Sequence, residues 1–272
     1  MGCINNEQHF MLFAHNGSNN HGCEALLRTI TEQIKSEFEQ SRISLCSFHP
    51  DEDQNANVSN INKYINHYDT VKRHSFDHIA AAINRRTVNN PYFNYSIMQK
   101  HIIKEAQNND VCISIGGDVY CYKKPYIYYT IDSHIKKAGK KLVLWGCSVE
   151  RDAFDEDMKK DFERFDLIMP RESITTELLT EKLGSNKIKP ITDPAFLMQP
   201  EFLPLPENFE KGNMIGINVS PLSAGYEKVN GMTLRSVHAL INHIIKNTGH
   251  NIALIPHVVR DPLGDMQCLT EL

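Results

Sequence analysis

The sequence predicts an α/β fold built on a doubly wound parallel sheet. Strand-length apolar runs alternate with amphipathic helical stretches, the pattern of parallel strands joined by crossover helices. The chain opens on a strand, a glycine turn and a helix, and its polar residues gather just after the apolar runs. Ligands of such sheets bind at the carboxyl ends of the strands.

The first unit of this pattern is Phe10 to Ala14 followed by NNHGCEALLRTI, Asn19 to Ile30. Leu27, Ile30, Ile34 and Phe38 recur at helical spacing and would pin the helix to a sheet. Unpaired N–H groups and the dipole at its start would suit an anion, and Gly22 would let the backbone approach a ligand. Further strands are expected at Ile43 to Phe48, Val111 to Ile115, Leu142 to Trp145, Leu167 to Met169, Met214 to Val219 and Ile252 to Ile255. The segment Asn55 to Asn109 is polar; helices are expected near Asp77 to Asn84 and Tyr95 to Asn108, with a loop around Asn89 to Pro91.

QPEFLPLPENFEKG, Gln199 to Gly212, carries three prolines and little periodicity, so it reads as an extended linker. The expected organisation is a first domain over 1–198, a linker over 199–212 and a second unit over 213–272. The second unit offers only strand, helix and strand, and so reads as the front of an incomplete domain. Apolar positions such as Ile217, Leu254 and Ile255 are then expected to lack part of their cover.

At 272 residues and 41% apolar content the chain can bury one large core or two small ones, which excludes disorder and fibres. A net charge of -4 gives no basic footprint for nucleic acid. The N-terminus MGCINNEQHF lacks a basic and an apolar region, and Asn6 breaks the lipidation pattern begun by Met1-Gly2-Cys3. A cytoplasmic protein with at most peripheral membrane contact is expected. The seven cysteines have no paired spacing and read as reduced thiols. Cys112 reads as a small hydrophobe, whereas Cys23 and Cys147 fall at strand-to-helix turns where a thiolate could be activated, although packing explains both better. His15 and His21 flank the first turn without a third metal ligand nearby.

Strand ends are followed by Gly116-Gly117-Asp118, Gly146-Cys147-Ser148, Pro170-Arg171-Glu172-Ser173, Ser220-Pro221-Leu222 and Pro256-His257-Val258. With the Asn20 turn these loops describe a ligand-binding rim. Each alone has a plain explanation: Asp118 and Glu24 as helix caps, Arg171 in a surface pair with Glu172 or Glu177, His257 satisfied by backbone. Neither G-x-G-x-x-G nor a Walker A sequence is present, so a nucleotide would be held some other way.

Taken in order, these segments resemble the polysaccharide pyruvyl transferase family. The residues carrying the resemblance are Asn20, Gly22, Glu24 and Ala25, Gly116 to Tyr120, Trp145 to Ser148, Arg171 and Ser173, Asp193 to Phe196, Gly216 to Leu222, and Pro256 to Asp265. It implies a glycosyltransferase type B-like protein with two Rossmann-like domains, the second incomplete here, since the family's late arginine-to-histidine motif has no counterpart before Leu272. The activity implied is transfer of a pyruvyl group from phosphoenolpyruvate to two sugar hydroxyls, forming a ketal on a cell-surface glycan or its lipid-linked precursor. No cofactor or metal is implied. Arg171, with Ser173 and Ser220, would hold the donor; Asn20, Gly22, Gly116 and Gly117 would line the acceptor; Asp118, Glu24 and His257 would move protons. The alternatives are a nucleotide-sugar glycosyltransferase and a non-catalytic glycan-binding fragment.

Overall fold

The computed structural model describes residues 7–260 and 264–272. Met1-Gly2-Cys3 and the segment Asp261 to Leu263 lie outside the described residues. The chain forms two compact units, Met1–Ser18 with Cys23–Met198, and Asn19–Gly22 with Gln199–Leu272.

The first unit begins with β1 (His9–His15), α1 (His21–Glu37), whose first two residues group with the second unit, β2 (Arg42–Ser47), α2 (Pro50–Asn55) and β3 (Lys63–Asn66). Three helices follow, α3 (Phe76–Arg86), α4 (Pro91–Met98) and α5 (Lys100–Gln107). It is completed by β4 (Val111–Ser114), α6 (Tyr126–Lys137), β5 (Lys141–Cys147), α7 (Glu156–Phe162), β6 (Leu167–Pro170) and α8 (Ser173–Leu183). The six strands are parallel in the order β3-β2-β1-β4-β5-β6. This is the doubly wound order, with its switch point between β1 and β4.

Alternation along the central strands divides the core between the two sheet faces. Phe10 and Leu12 of β1 join Ile43 and Leu45 of β2 and Leu27, Ile30 and Ile34 of α1. Met11 and Phe13 face the opposite layer, with Ile102 of α5, Tyr129 and Ile131 of α6 and Phe162 of α7. The register pairs Phe10 with Ile43 and with the half-buried Val111, so apolar side chains of three strands lie in one row.

Two strands end in left-handed backbone. Ala14 has φ 63° and Gly146 φ 78°, each at a register shift near the carboxyl end of its strand. For a non-glycine residue this costs about 1 kcal/mol, and such strain concentrates at functional sites.

The polar segment 55–109 departs from expectation in three places. It contains a strand, β3, not anticipated; the helix expected over Tyr95 to Asn108 is divided at Gln99 into α4 and α5. Pro91, expected in a loop, is the first residue of α4, where proline's fixed φ suits a helix start and Asn90 accepts from the Tyr92 N–H.

The second unit holds β7 (Met214–Ile217), α9 (Pro221–Gly225), α10 (Met232–Asn247), β8 (Asn251–Leu254) and α11 (Met266–Leu269). Its two strands are parallel. Val237, Ile241 and Ile244 of α10 close over Ile215, Ile217 and Ile252. Ile217 is therefore covered, contrary to expectation, whereas Leu254 and Ile255 are exposed. Among the described residues no helix is long and apolar enough to cross a membrane.

Between Leu197 and Met214 the chain makes neither helix nor strand, and Phe202 is 94% exposed. Limited chymotrypsin digestion is expected to cut first after Phe202, giving two fragments on a gel. First cuts within the six-stranded unit, with 199–212 intact, would contradict that order.

Candidate functional site

At the carboxyl edge of the first unit, Arg171 follows β6 and is fixed by three neighbours. Its Nε donates to Ser148 Oγ at 3.0 Å, its Nη1 donates to Asp193 Oδ2 at 2.8 Å, and its backbone N–H donates to the Cys147 carbonyl. The partner is thus Asp193, not Glu172 or Glu177. Glu172 instead caps α8, accepting from the Thr175 N–H. Asp193 is itself held by the Ala195 N–H at the start of a 3-10 turn, Pro194–Leu197. Nη2 of Arg171 makes no hydrogen bond to the described residues, and the side chain is 24% exposed.

The glycines after β4 are explained by close packing. A Cβ on Gly117 would sit 2.6 Å from Arg171 Nη1, so the guanidinium lies against bare backbone. A Cβ on Gly116 would sit 2.7 Å from the Ala14 carbonyl and 2.4 Å from Val119 Cγ1. Ser148 N–H donates to the Gly117 carbonyl at 2.7 Å, tying the β4 and β5 loops together.

Asp118 is exposed and caps no helix, since α6 begins only at Tyr126. The Tyr122 hydroxyl donates to its Oδ2 at 3.3 Å. Glu24, in the first turn of α1, is ion-paired with Arg28 at 2.7 Å, and Arg28 also donates to the Ala56 carbonyl. Ser173 is exposed at the first position of α8. Cys147 is buried with its thiol pushed up to about 12 by burial, which makes it inert, and Cys112 is raised likewise.

Buried polar groups also lie in this unit, and the sequence marked only His15 among them. His15 Nε2 pairs with Asp53 Oδ1 at 2.8 Å, and Ser18 donates to the same oxygen at 2.6 Å. Burial alone would raise the Asp53 carboxyl, but His15 with the Ser18 and Ser47 hydroxyls outweighs it and holds the group below the usual range. Beside it, Phe48 stacks on His67 at 3.7 Å, and burial drives His67 down to about 3. His67 is therefore a neutral aromatic ring at working pH. Among the described residues no group of three His, Cys, Asp or Glu side chains could hold a metal ion.

In the second unit, Asp265 organises the loops that carry Ser220 and His257. Its Oδ2 accepts from Asn218 Nδ2 at 2.8 Å and from the N–H groups of His257 and Val258 at 2.7 and 3.0 Å. Burial would raise this carboxyl, but Asn218, the two N–H donors and Ser220 together hold it low. Ser220 also caps α9 through the Leu222 N–H. A cavity of about 430 Å³ opens beside His21, Asn218, Ile255 and His257. What approaches Gly22 is the His257 ring, 3.1 Å from where a Cβ would lie, while the Asn20 side chain accepts from the Gly22 N–H and the His21 N–H donates to the His257 carbonyl.

Asp265→Ala would strip two backbone donors of their acceptor, at a cost of about 2 kcal/mol to this unit. Hydrogen exchange at the His257 and Val258 amides is expected to accelerate strongly; unchanged protection would show that the loop is held by other contacts.

A six-stranded doubly wound unit followed by a parallel β-α-β unit defines a glycosyltransferase type B-like α/β protein. The chain belongs to the polysaccharide pyruvyl transferase family, whose profile matches residues 20–272. Among solved structures it is similar to a putative UDP-N-acetylglucosamine 2-epimerase from Listeria monocytogenes, with TM-score 0.55 and 13% identity, covering 97% of this chain and 65% of that one. It is similar also to the UDP-GlcNAc 2-epimerase from Methanocaldococcus jannaschii, with TM-score 0.54 and 10% identity, covering 98% of this chain and 68% of that one. At such identities the likeness is one of fold, and the chain spans 65% of the length of the Listeria structure. No curated protein is significantly similar to it in sequence.

Proposed function

We propose that the protein transfers the enolpyruvyl-derived group of phosphoenolpyruvate to two hydroxyls of one sugar, giving a cyclic pyruvate ketal and free phosphate. The observation that carries this reading, within the family assignment, is Arg171. It is oriented by Asp193 and Ser148, backed by bare Gly117 and left with Nη2 uncommitted. A planar guanidinium so placed suits the carboxylate or phosphate of the donor.

The reaction balances without a cofactor. One hydroxyl adds to the central carbon while the methylene gains a proton and becomes methyl; the second hydroxyl displaces phosphate, which carries away the other proton. Asp118, exposed and held by Tyr122, is the base we assign to an acceptor hydroxyl. Glu24, already paired with Arg28, better suits orientation of the acceptor. His257 is the proton donor we assign in the second unit, with Ser173 and Ser220 as further donor contacts and Asn20, Gly22 and Gly116 as acceptor-lining positions.

The test is to supply phosphoenolpyruvate with glycan acceptors and follow phosphate release and the mass of the product. Phosphate release that needs both substrates, with a ketal on the sugar, is the expected result. Binding of UDP-N-acetylglucosamine with no response to phosphoenolpyruvate would instead favour nucleotide-sugar chemistry, and glycan binding alone a non-catalytic role.

A further inference from the structure

We infer that the acceptor is an oligosaccharide whose distal sugar rests on Tyr68, in the cavity beyond the carboxyl end of β3. The inference deepens the proposed function and rests on it, adding where the glycan chain lies and how long it must be.

The cavity, of about 490 Å³, is lined by Asn66, Tyr68, Asp69, Ser75, Asp77 and Lys100 among others. Its composition is that of a saccharide site: one aromatic face among planar polar groups. A sugar ring offers a C–H face to an aromatic ring and a rim of hydroxyls to amides and carboxylates. Asp77 is ion-paired with Lys100, and Asp69 Oδ2 accepts from the His101 backbone N–H at 2.9 Å, so both carboxylates are held in place for hydroxyls. Tyr68 is 38% exposed although its ring is anchored at the back. Phe48 lies 5.4 Å from it and His67 5.2 Å, both edge-on.

Those rings also connect the cavity to the switch-point loops. Phe48 stacks on His67, and His67 meets Tyr128 of α6 edge-on at 6.3 Å. The Tyr128 hydroxyl is pushed up mainly by burial and next by the Asp118 charge. Packing alone requires a neutral filler beneath Tyr68. It does not require an exposed tyrosine over a polar hollow.

Length follows from the strand order. β3 and β4 are separated by β2 and β1, three spacings of about 4.8 Å each, so the strand ends that lead to Tyr68 and Asp118 lie about 14 Å apart across the sheet. That is the reach of a short oligosaccharide and beyond that of one sugar ring.

The experiment measures binding to an array of mono- to pentasaccharides of galactose, glucose, mannose and N-acetylhexosamines, with phosphoenolpyruvate titrated separately by calorimetry. The expected result is at least one series whose affinity rises about tenfold from mono- to trisaccharide. Tyr68→Ala, which keeps its circular dichroism because the Phe48–His67 stack beneath it does not depend on the ring, should lose that gain, while Tyr68→Trp keeps it and neither changes phosphoenolpyruvate binding. Affinity that does not grow with length, or Tyr68→Ala binding as the parent does, overturns the inference. Phosphoenolpyruvate binding with no glycan binding overturns this subsite and spares the donor reading; failure of both ligands overturns the two together.

Discussion

Replacing Arg171 by alanine is expected to weaken phosphoenolpyruvate binding roughly ten- to a hundredfold, since a charge-assisted contact contributes about 1.5 to 3 kcal/mol. Stability should change little, because the Asp193 carboxylate left behind is 25% exposed and keeps its bond to the Ala195 N–H. Arg171→Lys should recover only part, as an ammonium cannot reach Ser148, Asp193 and a ligand with one planar fork. Gly117→Ala is a sharper probe. It deletes no polar atom but sets a Cβ 2.6 Å from Nη1, so it should displace the guanidinium and approach the alanine variant in affinity. Calorimetric titration of the three variants decides the matter. If Arg171→Ala and Gly117→Ala both bind phosphoenolpyruvate as tightly as the parent, Arg171 is a structural tie between the β6 loop and Asp193.

Most strands were legible because their runs are apolar on both faces, as buried parallel strands must be. β3 was not. KYIN is four residues at the sheet edge, pairs only with β2 and carries an exposed lysine and asparagine, so burial writes only Ile65 into its pattern. Its loss concealed the Phe48, His67 and Tyr68 rings, which depend on where β2 and β3 end. The loops after β4, β5 and β6 were readable as strand ends, and Arg171 with them. Its partner was not, since Asp193 lies 22 residues away and no periodicity links the two. Nearby glutamates were the natural guess, and Glu172 proves to be a helix cap because it immediately precedes α8. Asp132 and Asp161 would pass in sequence for solvated helix positions, yet both are fully buried. Only the packing of α6 against α7 brings them together.

That pair supports the second large effect. Tyr120 Oη donates to Asp132 Oδ2 at 2.9 Å and lies 3.3 Å from Asp161 Oδ2, while Arg164 is ion-paired with Asp161. Burial, and then the mutual repulsion of the two carboxylates, push Asp132 well above the usual range. Burial also raises Asp161, although its bonds to Asp132, Arg164 and Tyr120 restrain it. Asp132 therefore keeps its proton and donates it to Asp161. The folded state binds more protons here than the unfolded chain, so the pair's contribution to stability falls as pH rises above about 4, where unfolded aspartate ionises. Asp132→Asn keeps the shape, the donor to Asp161 and the acceptor for Tyr120, and removes the titration. Its melting temperature should match the parent's near pH 4 and exceed it by a margin that grows toward pH 8. Arg164→Met should act oppositely, costing about 3 kcal/mol near neutral pH by leaving Asp161 without its cation. Thermal unfolding of the three proteins across that range is the measurement. A parallel pH dependence in parent and Asp132→Asn would mean that Asp132 ionises normally in the folded protein, and that the Tyr120 hydroxyl bridges two charged carboxylates.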